Sequence, residues 1–240
     1  FKLVLVLLFT QSATAGVVMY GTRVVITEED SSSVVRFANN DAHSNLMQVW
    51  IDNGEGNPAR IDKNAVPFNL TPPLFKINGA SQQTVKIIKK ENIANLAKDR
   101  ESLYWLNFLQ IPPVSESSPG AMAKVNLSFL NQVKLIYRPA ALVRGIDDAW
   151  KNITFSVSGK NQLKVTNNSG YYFTFKENAV VKDKGKSLKI DYNNNVTLPP
   201  FSTLAWKLKD AGKVSNGANI SFALINDKGN GIQHIVDLVR

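Results

Sequence analysis

Short apolar and β-branched runs, separated by clusters of turn-forming residues, recur along almost the whole of this 240-residue sequence. In the first half they are Val17–Ile26, Ser33–Phe37, Leu46–Ile51, Phe68–Leu70, Thr84–Ile88, Leu103–Gln110 and a long run from Met122 to Tyr137. Many strands at such spacing predict an all-β sandwich or barrel. Only Ile93–Arg100 has helical character, which predicts a short helical turn before the Leu103 strand.

A domain boundary is predicted near the middle of the chain. Pro139-Ala140-Ala141 ends the long strand, and Arg144–Asp148 is polar and loop-like. Beyond it the runs are shorter: Ile153–Val157, Leu163–Thr166, Tyr171–Lys176, Ser187–Ile190, Thr203–Leu208, Ile220–Ile225 and Ile232–Leu238. Asn- and Gly-rich turns separate them. We therefore expect two all-β domains, residues 16–141 and 142–240, each of sandwich size.

Residues 1–15 are expected to be a secretory signal peptide. Lys2 precedes the apolar run Leu3–Phe9, and Ala13-Thr14-Ala15 supplies small residues before a cleavage point ahead of Gly16. Seven apolar residues are too few for a membrane-spanning helix, which needs roughly 20. The pattern predicts export and, because no later run reaches that length, no membrane insertion.

Composition excludes several kinds of site. The chain has no cysteine, so zinc–thiolate sites, thiol nucleophiles, iron–sulfur clusters and disulfides are all ruled out. The formal net charge is +9, but the basic residues are scattered, with no run longer than Lys89-Lys90. We interpret this as a solvated basic surface suited to an acidic protein partner rather than to nucleic acid.

Residues that could support catalysis are few. His43 and His234 are far apart in the sequence, and each is beside polar loop residues. The adjacent pair Asp147-Asp148 could serve a metal or acid–base role, but neighbouring residues on a linker usually point apart. No nucleophile-elbow, zinc-protease, phosphate-loop or dinucleotide fingerprint is present. These observations predict a protein that is not an enzyme and uses no metal or cofactor.

The run from Met122 to Tyr137 alternates between apolar and polar residues. Val125, Leu127 and Phe129 begin the apolar set, which continues at Val133, Leu135 and Tyr137. Such alternation indicates a half-buried strand, here far longer than the usual five or six residues. A strand of this kind promotes aggregation unless something covers it. It is either covered within its own domain or offered as a template edge to another protein.

Five segments together resemble the periplasmic chaperones of the chaperone–usher pathway, which assemble pili. They are Thr71-Pro72-Pro73-Leu74-Phe75, Asp99–Asn107 (DRESLYWLN), Ile111-Pro112-Pro113, Val133–Ala141 (VKLIYRPAA) and Ile225-Asn226-Asp227-Lys228-Gly229. Their order and spacing make the resemblance specific, and it covers nearly all of the chain after residue 15. It implies two immunoglobulin-like β-sandwiches in an L or boomerang arrangement with a cleft between them.

The resemblance implies a way of binding pilin subunits, which are sandwiches lacking their last strand. The chaperone inserts its own long strand into the gap, so that main-chain hydrogen bonds satisfy the open edges of the subunit. Val125, Leu127 and Phe129 are then the residues that fill the subunit groove. Burying each such side chain contributes about 1.5–3 kcal/mol.

Two basic residues correspond to the pair that, in this family, grips the carboxyl terminus of the subunit. They are Arg23, in Tyr20–Val25, and Lys134 in the long strand. Two cations on one carboxylate form charge-assisted hydrogen bonds and fix the register of the added strand. Each could instead be an ordinary surface charge. Lys134 has the opposite parity to the apolar residues, so it faces the other side of the strand unless the strand twists or bulges.

Two further features follow from the resemblance. Glu101, Arg138 and Asp227 correspond to an ion network between the domains, although Glu101 could instead cap the preceding helical turn. The connection Val114–Ala121 is short, as in the branch of the family that serves rod-like pili. The second domain lacks the cysteine pair that many relatives carry.

The expected partners are pilin subunits and an outer-membrane usher, with no nucleic acid. Self-association of the free protein is left open, because a second copy could cover the long strand. Two other functions remain as alternatives: an immunoglobulin-like adhesin, which would bind through loop tips and be indifferent to Arg23 and Lys134, and an exported hydrolase, which would need a catalytic cluster.

Overall fold

The computed structural model describes residues 16–57, 66–113, 127–159, 161–209 and 214–239. The described part of the first half contains nine strands: β1 Val17–Met19, β2 Arg23–Thr27, β3 Ser32–Asn39, β4 Asn45–Asp52, β5 Phe68–Thr71, β6 Leu74–Ile77, β7 Gln82–Lys89, β8 Ser102–Ile111 and β9 Phe129–Arg138. They form a four-stranded sheet in the order β1-β3-β7-β5 and a five-stranded sheet in the order β2-β9-β8-β4-β6. The two sheets make a β-sandwich.

The predicted single strand at Val17–Ile26 is two strands in different sheets. β1 pairs antiparallel with β3, whereas β2 pairs parallel with β9. The chain changes sheets through Tyr20–Thr22, where Gly21 has a φ of +93°. A residue without a Cβ adopts this angle at little cost, so the glycine permits the crossing. β2 is thereby brought beside the second half of β9.

The core of the first sandwich is apolar and tightly buried. Phe37 on one sheet contacts Phe108 on the other, with ring centroids 5.2 Å apart in an edge-to-face arrangement. Leu135 and Tyr137, from the odd positions of β9, belong to the same core and are almost fully buried. The second half of β9 is therefore fixed by core packing.

Among the described residues of the second half there are nine more strands: β10 Ile153–Ser158, β11 Gln162–Asn167, β12 Phe173–Thr174, β13 Val180–Asp183, β14 Lys186–Asp191, β15 Thr197–Leu198, β16 Thr203–Leu208, β17 Asn219–Ile225 and β18 Gly231–Asp237. Seven form a sheet in the order β10-β11-β16-β14-β13-β17-β18, and β12 pairs with β15. Phe155, Phe175, Phe222 and Trp206 lie at the centre of a separate core. The predicted all-β architecture of two sandwiches is confirmed.

Several boundaries differ from the sequence prediction. β6, β13 and β15 were not predicted, since each has only two to four residues, too few to show alternation. The predicted helical turn at Ile93–Arg100 is instead a 3₁₀-helix at Glu91–Asn95. Residues 96–100 form an irregular connection to β8. Further 3₁₀-helices at Ala140–Leu142 and Ile146–Asn152 make up much of the connection between the sandwiches.

Three predicted segments lie partly or wholly outside the described residues. They are the expected signal peptide at residues 1–15, the short connection Val114–Ala121, and residues 122–126 of the predicted long strand. Within the described ranges, no helix is long and apolar enough to cross a membrane.

Candidate functional site

Strand β9 is paired on both sides over only part of its length. Its antiparallel partner β8 runs beside it from Phe129 to Tyr137. Its parallel partner β2 covers only Lys134 to Arg138. No described strand pairs with residues 129–133 on the β2 side. An uncovered strand edge presents a row of unpaired backbone N–H and C=O groups, so this segment is a template for a further strand.

Apolar side chains are exposed at the open end of β9. Leu127 and Phe129 are 62% and 58% exposed, although Val133, on the same face of the strand, packs against the first core. Burial increases along the strand, because the sandwich covers its second half and leaves its first half in solvent. Val125, the third residue predicted to fill a subunit groove, lies outside the described residues. The exposed face is suited to burial against a partner.

Lys134 lies where the open segment of β9 ends and points into the space between the two domains. The pairing of β9 with β8 is continuous from residue 129 to 137, without a bulge. Lys134 therefore faces the side opposite to Phe129. Its Nζ donates hydrogen bonds to Thr174 Oγ1 and Thr197 Oγ1, both at 2.6 Å. These threonines belong to β12 and β15 of the second domain.

Arg23 is the register partner of Lys134 on the neighbouring strand β2. One terminal nitrogen of its guanidinium, Nη1, donates to the carbonyl oxygen of Ile225 in the second domain at 3.0 Å. Its Nε is buried and has no hydrogen-bond partner within the described structure. Among the described residues, neither Arg23 nor Lys134 has a carboxylate within 4.0 Å. Two cations are thus adjacent without a bound counter-charge.

The environment disfavours the positive charge of both residues. Burial, together with the charge of Arg23, lowers the pKa of Lys134 to about 8. Burial also lowers the pKa of Arg23, which the negative charges of Asp227 and Glu101 only partly offset. A bound carboxylate would neutralise the repulsion and supply an acceptor for the unpaired Nε. The pair is therefore chemically suited to a carboxylate ligand.

Glu101, Arg138 and Asp227 meet between the domains. Arg138 Nε donates to Glu101 Oε1 at 2.7 Å, and its two terminal nitrogens donate to the Asp227 carboxylate at 2.7 and 3.0 Å. Burial alone would lower the pKa of Arg138, but the hydrogen bonds and charges of Asp227 and Glu101 outweigh it and raise that pKa. Glu101 Oε2 also accepts from the backbone N–H of Tyr172 at 2.7 Å. Arg138 of the first domain therefore binds Asp227 of the second, and Glu101 of the first domain binds both Arg138 and the backbone of the second.

Backbone contacts reinforce this junction. The N–H of Glu101 donates to the carbonyl of Gly170 at 2.8 Å, and Tyr171 Oη donates to the carbonyl of Leu142, in the connection between the sandwiches, at 2.6 Å. A Cβ on Gly170 would lie 2.3 Å from the carbonyl oxygen of Asp99, so only glycine fits this approach. The first domain is thus joined to the second by several short hydrogen bonds.

Sequence reasoning missed the second-domain side of the site. Thr174, Thr197 and Tyr172 hold Lys134 and Glu101, but each lies in a short or irregular segment with no motif of its own. Only the docking of the two sandwiches brings them near β9. No local sequence signal could have identified them.

The residues considered for catalysis are dispersed. His43 Nε2 lies 3.6 Å from Asp41 Oδ2, and His234 stacks on Trp150 with ring centroids 4.3 Å apart. Asp148 pairs with the exposed Lys151. The described residues contain no group of three or more histidine, aspartate or glutamate side chains arranged to hold a metal ion.

Two linked immunoglobulin-like sandwiches, with a strand open at one edge and two cations at its inner end, define the class of protein. Residues 16–143 match the family model described as "Pili and flagellar-assembly chaperone, PapD N-terminal domain". Residues 148–236 match "Pili assembly chaperone PapD, C-terminal domain". The chain belongs to this family of pilus-assembly chaperones, which confirms the resemblance identified from the sequence.

Relatives match over nearly their full length. The chain is 33% identical over 229 residues to the probable fimbrial chaperone YadV of Escherichia coli K12, covering 94% of this chain and 91% of YadV. It is 36% identical over 226 residues to the chaperone protein FanE of Escherichia coli, covering 92% and 90%.

Solved structures agree with this assignment. The crystal structure of the YadV chaperone has a TM-score of 0.77 and 32% identity, covering 93% of this chain and all of that one. The SafB chaperone of Salmonella enterica, solved in complex with the SafA pilin, has a TM-score of 0.74 and 25% identity, covering 95% and 99%. The two-domain immunoglobulin-like fold is therefore shared with chaperones of pilus assembly.

Proposed function

We propose that this chaperone binds pilin subunits in the periplasm by adding β9 to them as a strand, and then delivers them to an outer-membrane usher. It does this without catalysis or a cofactor. The pilin complex of the related SafB chaperone supports a pilin as the partner. Export would depend on residues 1–15 as a signal peptide, and the two domains would divide after Ala141.

The open edge of β9 is the observation that carries this proposal. Residues 129–133 lack a partner on the β2 side among the described strands, and the side chain of Phe129, the first of them, is exposed. A subunit strand added there would form backbone hydrogen bonds along the open edge, and the face of the subunit would cover the side chains of Leu127 and Phe129. Burial of these two side chains would contribute about 1.5–3 kcal/mol each.

Arg23 and Lys134 would anchor the subunit carboxylate at the inner end of this edge. They lie where β2 begins to cover β9, so the added strand would stop there. Fixing the carboxyl terminus at one point sets the register, and a slip by one residue would turn every side chain to the wrong face. The cations therefore select one alignment of the subunit.

The ion network would set the angle between the two domains and so hold the second-domain threonines against Lys134. Arg138 is the centre of this network because it reaches both Glu101 and Asp227. Buried ion pairs roughly offset their own desolvation, so orientation rather than stability is the expected role.

Co-expression with a pilin subunit from the same organism tests the proposal. The wild type, Arg23→Ala and Lys134→Ala are purified from the periplasm and the bound subunit is quantified. Wild type should carry one subunit, and both variants should lose it, since charge-assisted hydrogen bonds contribute about 1.5–3 kcal/mol each. Lys86→Ala is the matched control, because Lys86 is an exposed lysine on the opposite sheet.

Other outcomes discriminate between the mechanisms. Undiminished binding by both cleft variants would refute carboxylate anchoring while leaving strand addition standing. Failure of the wild type to bind any subunit would refute the proposal as a whole and favour the adhesin alternative. Robust hydrolysis of generic ester, peptide or glycoside substrates would refute the non-enzymatic assignment.

A further inference from the structure

A cavity of about 480 Å³ lies between the two domains, directly beside Arg23. Ile136 of β9 forms its wall on the first domain. On the second domain its walls include Phe173, Leu224, Ile232 and Trp150. The cavity is large enough for any natural side chain, and its apolar lining with a few polar groups is typical of binding pockets.

The wall of the cavity on the second domain lies at the edge of that sandwich, between β18 and the 3₁₀-helix Ile146–Asn152. β18 is the last strand of its sheet and pairs only with β17, where Ile232 lies opposite Leu224. The 3₁₀-helix Ile146–Asn152 crosses beside it, and Trp150 stacks on His234. Leu224 is nearly buried, whereas Ile232 is largely exposed. The exposed apolar surface of Ile232 therefore lines the space between the domains, next to the buried Leu224.

The cavity is lined by the basic residues Arg23, Arg138 and Lys228 and by the carboxylates Asp147 and Asp227. Arg138 and Asp227 both line it, but they neutralise each other in the ion network. Arg23 lies at the rim with a buried, unpaired Nε and no carboxylate within 4.0 Å among the described residues. A ligand with an anionic group beside Arg23 and an apolar group inside the cavity would therefore match this lining.

The distance along β9 suits a single terminal residue. Ile136 is two residues beyond Lys134 on the same face of the strand, which places it roughly 7 Å further into the space between the domains. A chain terminus held by Arg23 and Lys134 would carry its carboxylate at the rim. The side chain of the last residue could then extend past the two cations to Ile136, because an aromatic side chain is about as long as this distance of roughly 7 Å.

We propose that this cavity receives the side chain of the subunit's last residue and favours an aromatic one. This inference rests on the proposed carboxylate anchor and extends it from the carboxylate to the residue that bears it. Rings already form part of the walls at Trp150 and Phe173, and aromatic pairs are favoured beyond the area they bury. Asp147 and Asn226, which also line the cavity, are suited to a tyrosine hydroxyl.

Three synthetic peptides with the sequence of the subunit's carboxyl-terminal strand test this by calorimetry. One ends in tyrosine, one in alanine, and one in tyrosine with its carboxylate converted to an amide. The wild-type chaperone should bind the tyrosine peptide about tenfold to a hundredfold more tightly than the alanine peptide, as expected for burying one aromatic side chain. The amidated tyrosine peptide should bind more weakly than the tyrosine peptide with a free carboxylate, because it lacks the group held by Arg23 and Lys134.

Chaperone variants locate the effect. Ile232→Trp fills the mouth of the cavity and should remove the preference for tyrosine over alanine. Ile235→Trp is the matched control, since Ile235 is also an exposed isoleucine on β18, at 62% against 45% for Ile232, and does not line the cavity. It should keep the preference. Both positions are exposed, so neither variant should lose the fold.

The outcomes separate the two proposals. Equal affinity for the tyrosine and alanine peptides, with amidation still harmful, would overturn the pocket and leave the anchor standing. A tyrosine preference that survives in Ile232→Trp would also overturn the pocket. Indifference to amidation, or no binding of the carboxylate peptides at all, would overturn the anchor and the pocket with it.

Discussion

Arg23 and Lys134 show most directly how single residues in this protein are set apart from ordinary surface charges. Adjacent like charges on paired strands oppose each other, and burial adds a desolvation cost. The lowered pKa of Lys134 reflects both effects, with burial the larger. Asp227 and Glu101 offset only part of this cost at Arg23, and no carboxylate of the described structure lies within 4.0 Å of either cation. The proposed carboxylate anchor would supply the missing counter-charge.

Lys134 should make binding of the subunit terminus depend on pH. A bound carboxylate raises the pKa of Lys134 above its free value of about 8, so the complex retains a proton that the free protein loses. Affinity should therefore be constant well below pH 8 and should fall by up to about tenfold per pH unit above it. Calorimetric titration with the tyrosine-ended carboxylate peptide across that range measures this.

Lys134→Arg provides the control for this pH dependence. Arginine keeps its charge throughout the range, so the decline above pH 8 should disappear. In the free protein the same lowered pKa acts in the opposite sense. The unfolded chain binds more protons than the folded one between pH 8 and the ordinary lysine pKa of 10.5, so the free energy of unfolding rises with pH there. A wild-type affinity that is flat across pH 8 would contradict the assignment of Lys134.

At the scale of elements, β9 combines two roles along its length. Its second half belongs to the core, between β8 and β2, and its first half extends beyond β2 with one open edge. The rigid half positions the open half, since a strand anchored in a packed core cannot slip in register. Exposed apolar residues on a strand edge promote aggregation in most proteins, and a strand-adding chaperone requires them.

Phe129→Asp should separate binding from folding. Phe129 is 58% exposed, so a charge there should change the free energy of unfolding by less than about 1 kcal/mol. The same charge inside a subunit groove would be buried without a partner, so the yield of co-purified subunit should fall at least tenfold. Urea unfolding and quantified co-purification measure the two quantities.

Val34→Asp is the matched control for Phe129→Asp. Val34 is 60% exposed on β3, in the other sheet of the same sandwich. Its replacement should leave subunit yield unchanged. Equal losses of subunit in the two variants would indicate a general effect of the added charge, and would count against β9 as the binding strand.

At the scale of the whole molecule, hydrogen bonds and ion pairs join the two sandwiches. Arg138 and Glu101 of the first domain are almost fully buried, whereas the side chain of Asp227 in the second is 38% exposed. Lys134 and Arg23 add hydrogen bonds from the first domain to Thr174, Thr197 and the Ile225 carbonyl. Because hydrogen bonds are directional, such a junction fixes an angle more strictly than an apolar contact of similar size.

Arg138→Ala should destabilise the protein and disturb subunit binding together. It leaves Glu101 buried without its cation, which typically costs about 3–5 kcal/mol. Asp227→Asn should cost far less, because Asp227 is partly solvated and the amide still accepts one hydrogen bond. Urea unfolding gives the stabilities, and small-angle scattering reports any change in the angle between the domains.

Lys151→Ala is the control for loss of an ion pair. The pair between Lys151 and Asp148 is exposed on both sides, so its removal should cost less than about 1 kcal/mol. If Arg138→Ala were no more destabilising than Lys151→Ala, the network would not hold the domains as described.

Much of this organisation could be predicted from the sequence. Alternation and turn clusters identified most strands, because period-2 patterning and turn chemistry are local properties. They failed where the pattern was too short, as in β13 and β15, and where Gly21 divides one apolar run between two sheets. The five family motifs identified the chaperone family and contain Lys134 and the ion network, whereas Arg23 was assigned from the separate segment Tyr20–Val25.

The tertiary structure alone decided what surrounds those residues. Alternation indicated that β9 has two faces, but not that β2, more than 100 residues earlier, would cover only its second half. Nor could it place Thr174 and Thr197 against Lys134, or form a cavity beside Arg23 from two domains. The sequence by itself determined the strands, the two sandwiches and the chemical types at the site, because these depend on neighbours in the chain. Which edge stays open and which charge lacks a partner depend on contacts between distant segments, and only folding brings those segments together.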